Sequence, residues 1–284
     1  MFFVPSWLIF RMDSSPISST RNPKIINLRK LAQRKQRRAQ GRFMVEGLQL
    51  IGMAGEAGHK PLEVFYCPEQ FAGETAPALL DRLLGAGGEP YRVTPKLMQT
   101  LSERDAPQGL IATFPLFEAR LDAVLDRLAP PALLLILDRL QDPGNMGTLI
   151  RSADAVAAAG VVLLEPCVDL FDPKTVRGTM GSLFSLPIVH TSDMALLSKT
   201  LAGHQFRLTG ADGYQGEIPW ASGSACLRGS VGLVLGNEAR GLSDDVRPHL
   251  TAWVRLPLPG RAESLNVAVA GAVLMYQWHQ VNRP

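Results

Sequence analysis

The stretch "ALLLILDRLQDPGNMGTLIRSADA", residues 132–155, opens with an unbroken apolar run and then changes character at Asp138. An apolar run of this length without alternation is the pattern of a strand buried on both faces of a parallel sheet. The acidic, Pro/Gly-rich turn after it leads into a helix, with Asn145 and Gly147 at its start and Arg151 a turn further on. Open α/β sheets bind ligands beyond the carboxyl ends of their strands. Residues 138–151 therefore read as a ligand turn, with Gly147 admitting close backbone approach.

Outward from this turn, apolar strands alternate with helical segments. The runs "GVVLLEP" (160–166), "FRLTGAD" (206–212), "SVGLVLG" (230–236) and "AWVRLPL" (252–258) read as strands, and the stretch from Val267 to Trp278 as a long apolar helix. That alternation predicts an α/β domain with a parallel sheet over residues 132–284. Upstream, residues 18–117 read as a smaller α/β domain with strands at 62–68 and 109–117. Residues 118–131 read as a helix and linker between the domains, with Pro130–Pro131 marking the boundary, because proline forbids helix continuation. Residues 1–17 read as a disordered extension. Within it, "MFFVPSWLIF" is too short to span a bilayer, and Met12 is the expected initiator.

The chain has 284 residues and a net charge of +3, distributed unevenly. Between Arg21 and Arg42 lie nine cations and no acid: Arg21, Lys24, Arg29, Lys30, Arg34, Lys35, Arg37, Arg38 and Arg42. A solvated helix face mixes both signs, whereas a one-sign cluster suits a phosphate backbone. The three cysteines, Cys67, Cys167 and Cys226, are far apart, so neither a disulfide framework nor a zinc site is expected, and a reducing cytoplasm fits. No metal and no membrane partner is predicted. None of the five histidines falls in the ligand loops.

Two further loops follow predicted strands. "LGNEARGLS" (235–243) sets Asn237, Glu238 and Arg240 between two glycines, and "LPLPGRAESLNVAVA" (256–270) places Ser264 and Asn266 before the long helix. Ser264 reads equally as a helix N-cap. Neither loop carries a dinucleotide or triphosphate fingerprint.

Taken in order, "NMGTLIRSADA", "LVLGNEARGLS" and "LPLPGRAESLNVAVAGAVLMYQ" resemble the three signatures of the SpoU (TrmH) family of RNA 2′-O-ribose methyltransferases, in the SPOUT superfamily. "DPKTVRGTMGSLFSLPI" between them, and the basic N-terminal stretch, also look like this family and its substrate-binding domain. The resemblance implies a deep trefoil knot in the parallel-sheet domain. It also implies a ribosomal-protein-like N-terminal RNA-binding domain and a homodimer through the C-terminal domain. The implied cofactor is S-adenosyl-L-methionine, held by Thr209, Gly210, Ala211, Leu235, Gly236, Asn237, Leu256, Leu265 and Asn266. Arg151 is implied as the catalytic group, here an electrostatic partner of the 2′-oxygen. Asn145 and Glu238 would position it or the ribose, and Ser264 and Asn266 would shape the acceptor side. The implied RNA contacts are Arg29, Lys30, Arg34, Lys35, Arg37, Arg38, Arg42 and Arg177. The implied substrate is structured RNA, with 23S ribosomal RNA ahead of transfer RNA. A non-catalytic RNA-binding protein and a nucleotide-cofactor oxidoreductase are the competing readings, and the second lacks its glycine fingerprint.

Overall fold

The computed structural model describes residues 15–282. The segment read as residues 1–11 of an extension, and Met12, lie outside them. The chain divides into two compact units. One runs to Leu116 and takes in Phe171–Pro173, and the other comprises Phe117–Leu170 and the chain from Lys174 onward.

In the first unit, α1 (Pro23–Lys30) and α2 (Arg34–Gln40) precede β1 (Arg42–Glu46), α3 (Leu48–Glu56), β2 (Glu63–Tyr66), α4 (Thr75–Gly85), β3 (Glu89–Arg92), α5 (Pro95–Leu101) and β4 (Leu110–Pro115). Helix α1 starts where Asn22 accepts the Lys24 amide and Pro23 supplies a first-turn φ. Helix α2 stops at Gly41, whose φ of 64° is left-handed. The four strands lie in the order β1-β4-β2-β3. β4 enters antiparallel between β1 and β2, so this sheet is mixed rather than parallel: β1, β2 and β3 run in one direction and β4 against them, and β2 and β3, joined through α4, are the one parallel pair of neighbours. Ile25, Leu28, Phe65, Leu97, Met98 and Ile111 close a core under it. Ile17, read as part of the extension, instead forms a parallel bridge to Val93.

The second unit begins earlier than the linker reading allowed. Residues 121–125 form α6, and Val124 and Leu125 are buried in this unit's core. There follow β5 (Leu133–Asp138), α7 (Pro143–Ala155), β6 (Gly160–Leu164), α8 (Pro173–Gly178), β7 (Ile188–Thr191), α9 (Met194–Gly203), β8 (Arg207–Ala211), β9 (Val231–Leu235), β10 (Ala252–Val254) and α10 (Val267–Asn282). All six strands are parallel, in the order β10-β8-β9-β5-β6-β7. Every residue of β5, β6 and β9 is buried, as uninterrupted Val/Leu runs require. The chain builds outward from β5 through β6 to β7, then crosses back to build β8, β9 and β10 on the other side. The order reverses between β5 and β9, and a ligand crevice belongs at such a switch point.

Gly147 does admit a close approach, but to protein. A Cβ there would stand 2.8 Å from both the Cα of Gly178 and the carbonyl oxygen of Thr175, so α7 and α8 cross backbone to backbone. The three cysteines are buried thiols, and burial pushes Cys67 and Cys167 up to about 11. Among the described residues no helix is long and apolar enough to cross a membrane. Gly147→Ala should cost about 1–3 kcal/mol through overpacking. Thermal unfolding should show the Tm falling by roughly 2–10 °C.

Candidate active site

The switch point assembles the three loops. Asp142 caps α7 by accepting the Asn145 amide at 2.8 Å, with Pro143 at the first helical position. The free amides just before the helix then meet Glu238 from the β9 loop. Its carboxylate accepts from Gln141 N at 3.2 Å, Asp142 N at 3.0 Å and Asn145 Nδ2 at 3.1 Å. A carboxylate at a helix N-terminus is favoured by the exposed amides and by the dipole. Burial pushes the Glu238 carboxyl up, but these donors outweigh it and hold it below the ordinary value.

Asn145 passes the connection on. Its Oδ1 accepts from Asn266 Nδ2 at 2.9 Å, while Asn266 Oδ1 accepts the amides of Ala268 and Val269. Asn266, not Ser264, is therefore the N-cap of α10. Ser264 stays exposed at the edge of the site. Asn237 braces the loop twice. Its Nδ2 donates to the Arg139 carbonyl at 2.9 Å, and its Oδ1 accepts from Ala239 N and Arg240 N. Asp138, fully buried at the end of β5, accepts the Ser243 amide at 2.7 Å. The sequence signal for Asp138 was present: an acid closing a strand buried throughout.

Between these loops lies a pocket of about 370 Å³, within the range of small-molecule sites. Leu235, Leu256, Leu258, Leu265 and Leu274 form its apolar walls. Asn145, Gly236, Asn237, Ser264 and Asn266 supply its polar edge, and the acids Asp212 and Glu238 line it with no Lys, Arg or His among the lining residues. Ala211 also lines it, but Thr209 and Gly210 do not. Thr209 is buried with its hydroxyl committed to the Cys226 carbonyl at 2.8 Å. A Cβ on Gly210 would stand 2.4 Å from Leu250 Cδ1, so that glycine serves packing. Asp212 and Gly213, one step further along, do line the pocket and were not anticipated.

Arg151 is not brought to this pocket. It is exposed on α7 and makes no hydrogen bond or ion pair with any described residue, Asp154 included. Arg240 and Arg261, on the second and third loops, are exposed in the same way.

The basic segment of the first unit separates into two sets. Arg29, Lys30, Lys35 and Arg38 are exposed and Arg34 is half-buried. Arg37 departs from the expected RNA-contacting set: it is 2% exposed and donates to the carbonyls of Leu31 at 2.8 Å and Ala32 at 2.9 Å, closing the end of α1. Arg42 is bonded to Glu63 and Gln40 and is largely buried. Arg177 is half-buried on α8. Among the described residues no group of three or more His, Cys, Asp or Glu side chains is placed to hold a metal.

Residues 132–276 match the SpoU rRNA methylase family and residues 22–112 the MRM3-like substrate-binding domain. The chain is 32% identical to an uncharacterized tRNA/rRNA methyltransferase of Synechocystis, over 93% of both chains. It is 31% identical to the Bacillus subtilis 23S rRNA (guanosine(2553)-2′-O)-methyltransferase RlmP, over 92% of this chain and 97% of the relative. The SpoU methyltransferase AviRb of Streptomyces viridochromogenes, solved with its cofactor AdoMet, superposes with a TM-score of 0.80 at 28% identity, covering 92% of this chain and 98% of that one. The chain belongs to the SpoU methylase family.

Glu238→Ala should leave the Gln141 and Asp142 amides and Asn145 Nδ2 without their acceptor and loosen all three loops, lowering Tm. The pH dependence has a fixed sign. Because the folded carboxyl lies below its unfolded value, its contribution is present above the ordinary carboxylate pKa and is lost as pH falls through the folded value. Unfolding curves across acidic pH should show the wild type losing its advantage over Glu238→Ala on that descent.

Proposed function

We propose that the protein transfers a methyl group from S-adenosyl-L-methionine to a ribose 2′-hydroxyl in structured RNA, with 23S ribosomal RNA as the substrate. One observation carries this reading within the family: the pocket at the switch point is apolar, carries two carboxylates and has no cationic lining residue. Such a lining suits a sulfonium cation with an aromatic base. It opposes a pyrophosphate, which disfavours the oxidoreductase reading. The residues present therefore fit the cofactor, which when bound supplies an electrophilic methyl group.

The chain's own contribution is positioning and electrostatics. Ala211, Leu235, Gly236, Asn237, Leu256, Leu265 and Asn266 hold the cofactor. Glu238 and Asn145 act as positioning residues, because their bonding capacity is spent on one another and on backbone amides. Ser264, exposed at the pocket edge, shapes the acceptor side. Arg151, exposed on α7 and outside the pocket lining, is assigned to the 2′-oxygen and its neighbouring phosphate in the RNA-bound state; a guanidinium remains protonated, so it acts as a charge rather than a base.

Arg29, Lys30, Lys35 and Arg38 supply phosphate contacts from the first unit, with support from their exposure and the lack of acids among them. The protein acts in the cytoplasm, where three buried thiols stay reduced. It works as a homodimer through α10, whose exposed Val269, Val273 and Tyr276 recur on one face at helical spacing. The trefoil knot belongs to the same reading.

Arg151→Ala should bind S-adenosylmethionine as the wild type does by calorimetry, yet transfer no methyl; full turnover by that variant would sink the assignment. Lys35→Glu with Arg38→Glu should raise KM for RNA and leave cofactor affinity unchanged. Mapping of 2′-O-methyls on total RNA from a deletion strain should show one 23S position lost. Loss of a transfer-RNA methyl instead would move the substrate to the alternative class.

A further inference from the structure

Between β8 and β9 the chain makes a long excursion that none of the three signatures covers. Its first turn is tied down at nearly every residue. Asp212 Oδ1 accepts the amides of Tyr214 at 2.8 Å and Gln215 at 3.3 Å. Gly216 has a φ of 113°, and a Cβ there would stand 2.5 Å from the carbonyl carbon of Trp253 and 2.6 Å from the nitrogen of Val254. The Glu217 amide donates to the Trp253 carbonyl and the Arg255 amide donates to the Glu217 carbonyl, each at 3.0 Å. Arg255 Nε adds a bond to the Gly216 carbonyl at 3.3 Å.

This turn adjoins the pocket from both ends. Asp212 and Gly213 line the pocket on one side; Val254 and Leu256, flanking Arg255, line it on the other. Yet the residue at the centre of the turn, Tyr214, is 87% exposed, and its side chain meets no partner among the described residues. Exposed aromatics on slack loops need no explanation. Here the backbone is fixed by bonds and by a glycine that no other residue can replace, and the ring is displayed to solvent beside the ligand pocket.

A fixed backbone with a free aromatic face is what base stacking requires, because preorganisation removes the ordering cost. Sequence-specific RNA recognition relies on unstacked bases laid on aromatic side chains. A ribose that reaches a recessed pocket must leave its stack, and the base beside it then lacks a partner. We propose that Tyr214 is the stacking platform for an RNA base next to the nucleotide being methylated. This rests on the reading of the protein as an RNA methyltransferase.

The test uses the full-length protein, S-adenosylmethionine and 23S rRNA isolated from a strain lacking the gene. Tyr214→Phe should methylate with KM and kcat within twofold of wild type. Tyr214→Ala and Tyr214→Leu should each raise KM for RNA roughly tenfold, the loss of one base–aromatic stack, with cofactor affinity by calorimetry unchanged. A wild-type KM for Tyr214→Ala overturns the proposal, as does a Leu variant equal to Phe, since apolar area would then suffice. A change in sedimentation or cofactor affinity in Tyr214→Ala also overturns it, assigning the ring to a protein contact or to the pocket. If the wild type itself transfers no methyl to this RNA, the function proposed above fails with it; an active wild type matched by Tyr214→Ala removes the stacking role alone.

Discussion

The carboxylate of Glu238 is the constraint on which the site depends. Three loops separated by as much as 121 residues along the chain must meet at one sheet edge. Parallel strands alone place them in the same neighbourhood; they do not fix side chains to within an ångström. Glu238 does so by accepting three donors at the start of α7, and Asn145 extends the hold to Asn266. Every polar atom engaged in this relay is one that the pocket then need not solvate. The lining left to a ligand is consequently apolar wall and backbone, with two acids at its edge that are already bonded and no cation among the lining residues.

Much of this was legible beforehand, and the reasons differ by residue. The apolar run of β5 announced a buried parallel strand, and the Pro/Gly-rich turn after it announced a helix start. Those are local properties, read from neighbouring residues. Asn145, Glu238 and Asn266 were singled out from loops of unusual composition, and the structure bonds them to one another. Their mutual distances belong to the fold and could not be read from spacing. Sequence alone leaves a residue ambiguous where two roles share one residue type. Glycine at 147 looked like room for a ligand and is room for Gly178, while Gly210, implied as a cofactor contact, lies outside the pocket lining and packs against Leu250. Thr209 looked like a cofactor contact and is a buried bond to Cys226.

The basic segment shows the same ambiguity in charge. Its nine cations formed one block in sequence, but helical geometry separates them by face. Arg37 turns inward, where its planar fork satisfies two helix-end carbonyls, a task a lysine ammonium would perform poorly. Arg42 answers Glu63. The exposed remainder is smaller than composition suggested and lies on α1 and α2, with Arg21 just ahead of α1. The mixed sheet of the first unit was likewise hidden, since strand direction is set by which neighbour a strand finds rather than by its own residues.

The β9 loop carries a consequence for how such a chain can diverge. Asn237 and Gly241 exchange both backbone bonds, at 2.9 and 2.8 Å, and Gly236 folds against the carbonyl of Gly241 with no room for a side chain. The ring so formed has a fixed circumference. Residues within it, such as Ala239 and Arg240, are free to drift in identity, but an insertion or deletion would break both bonds at once. This loop can change its spelling over evolutionary time, and it cannot change its length.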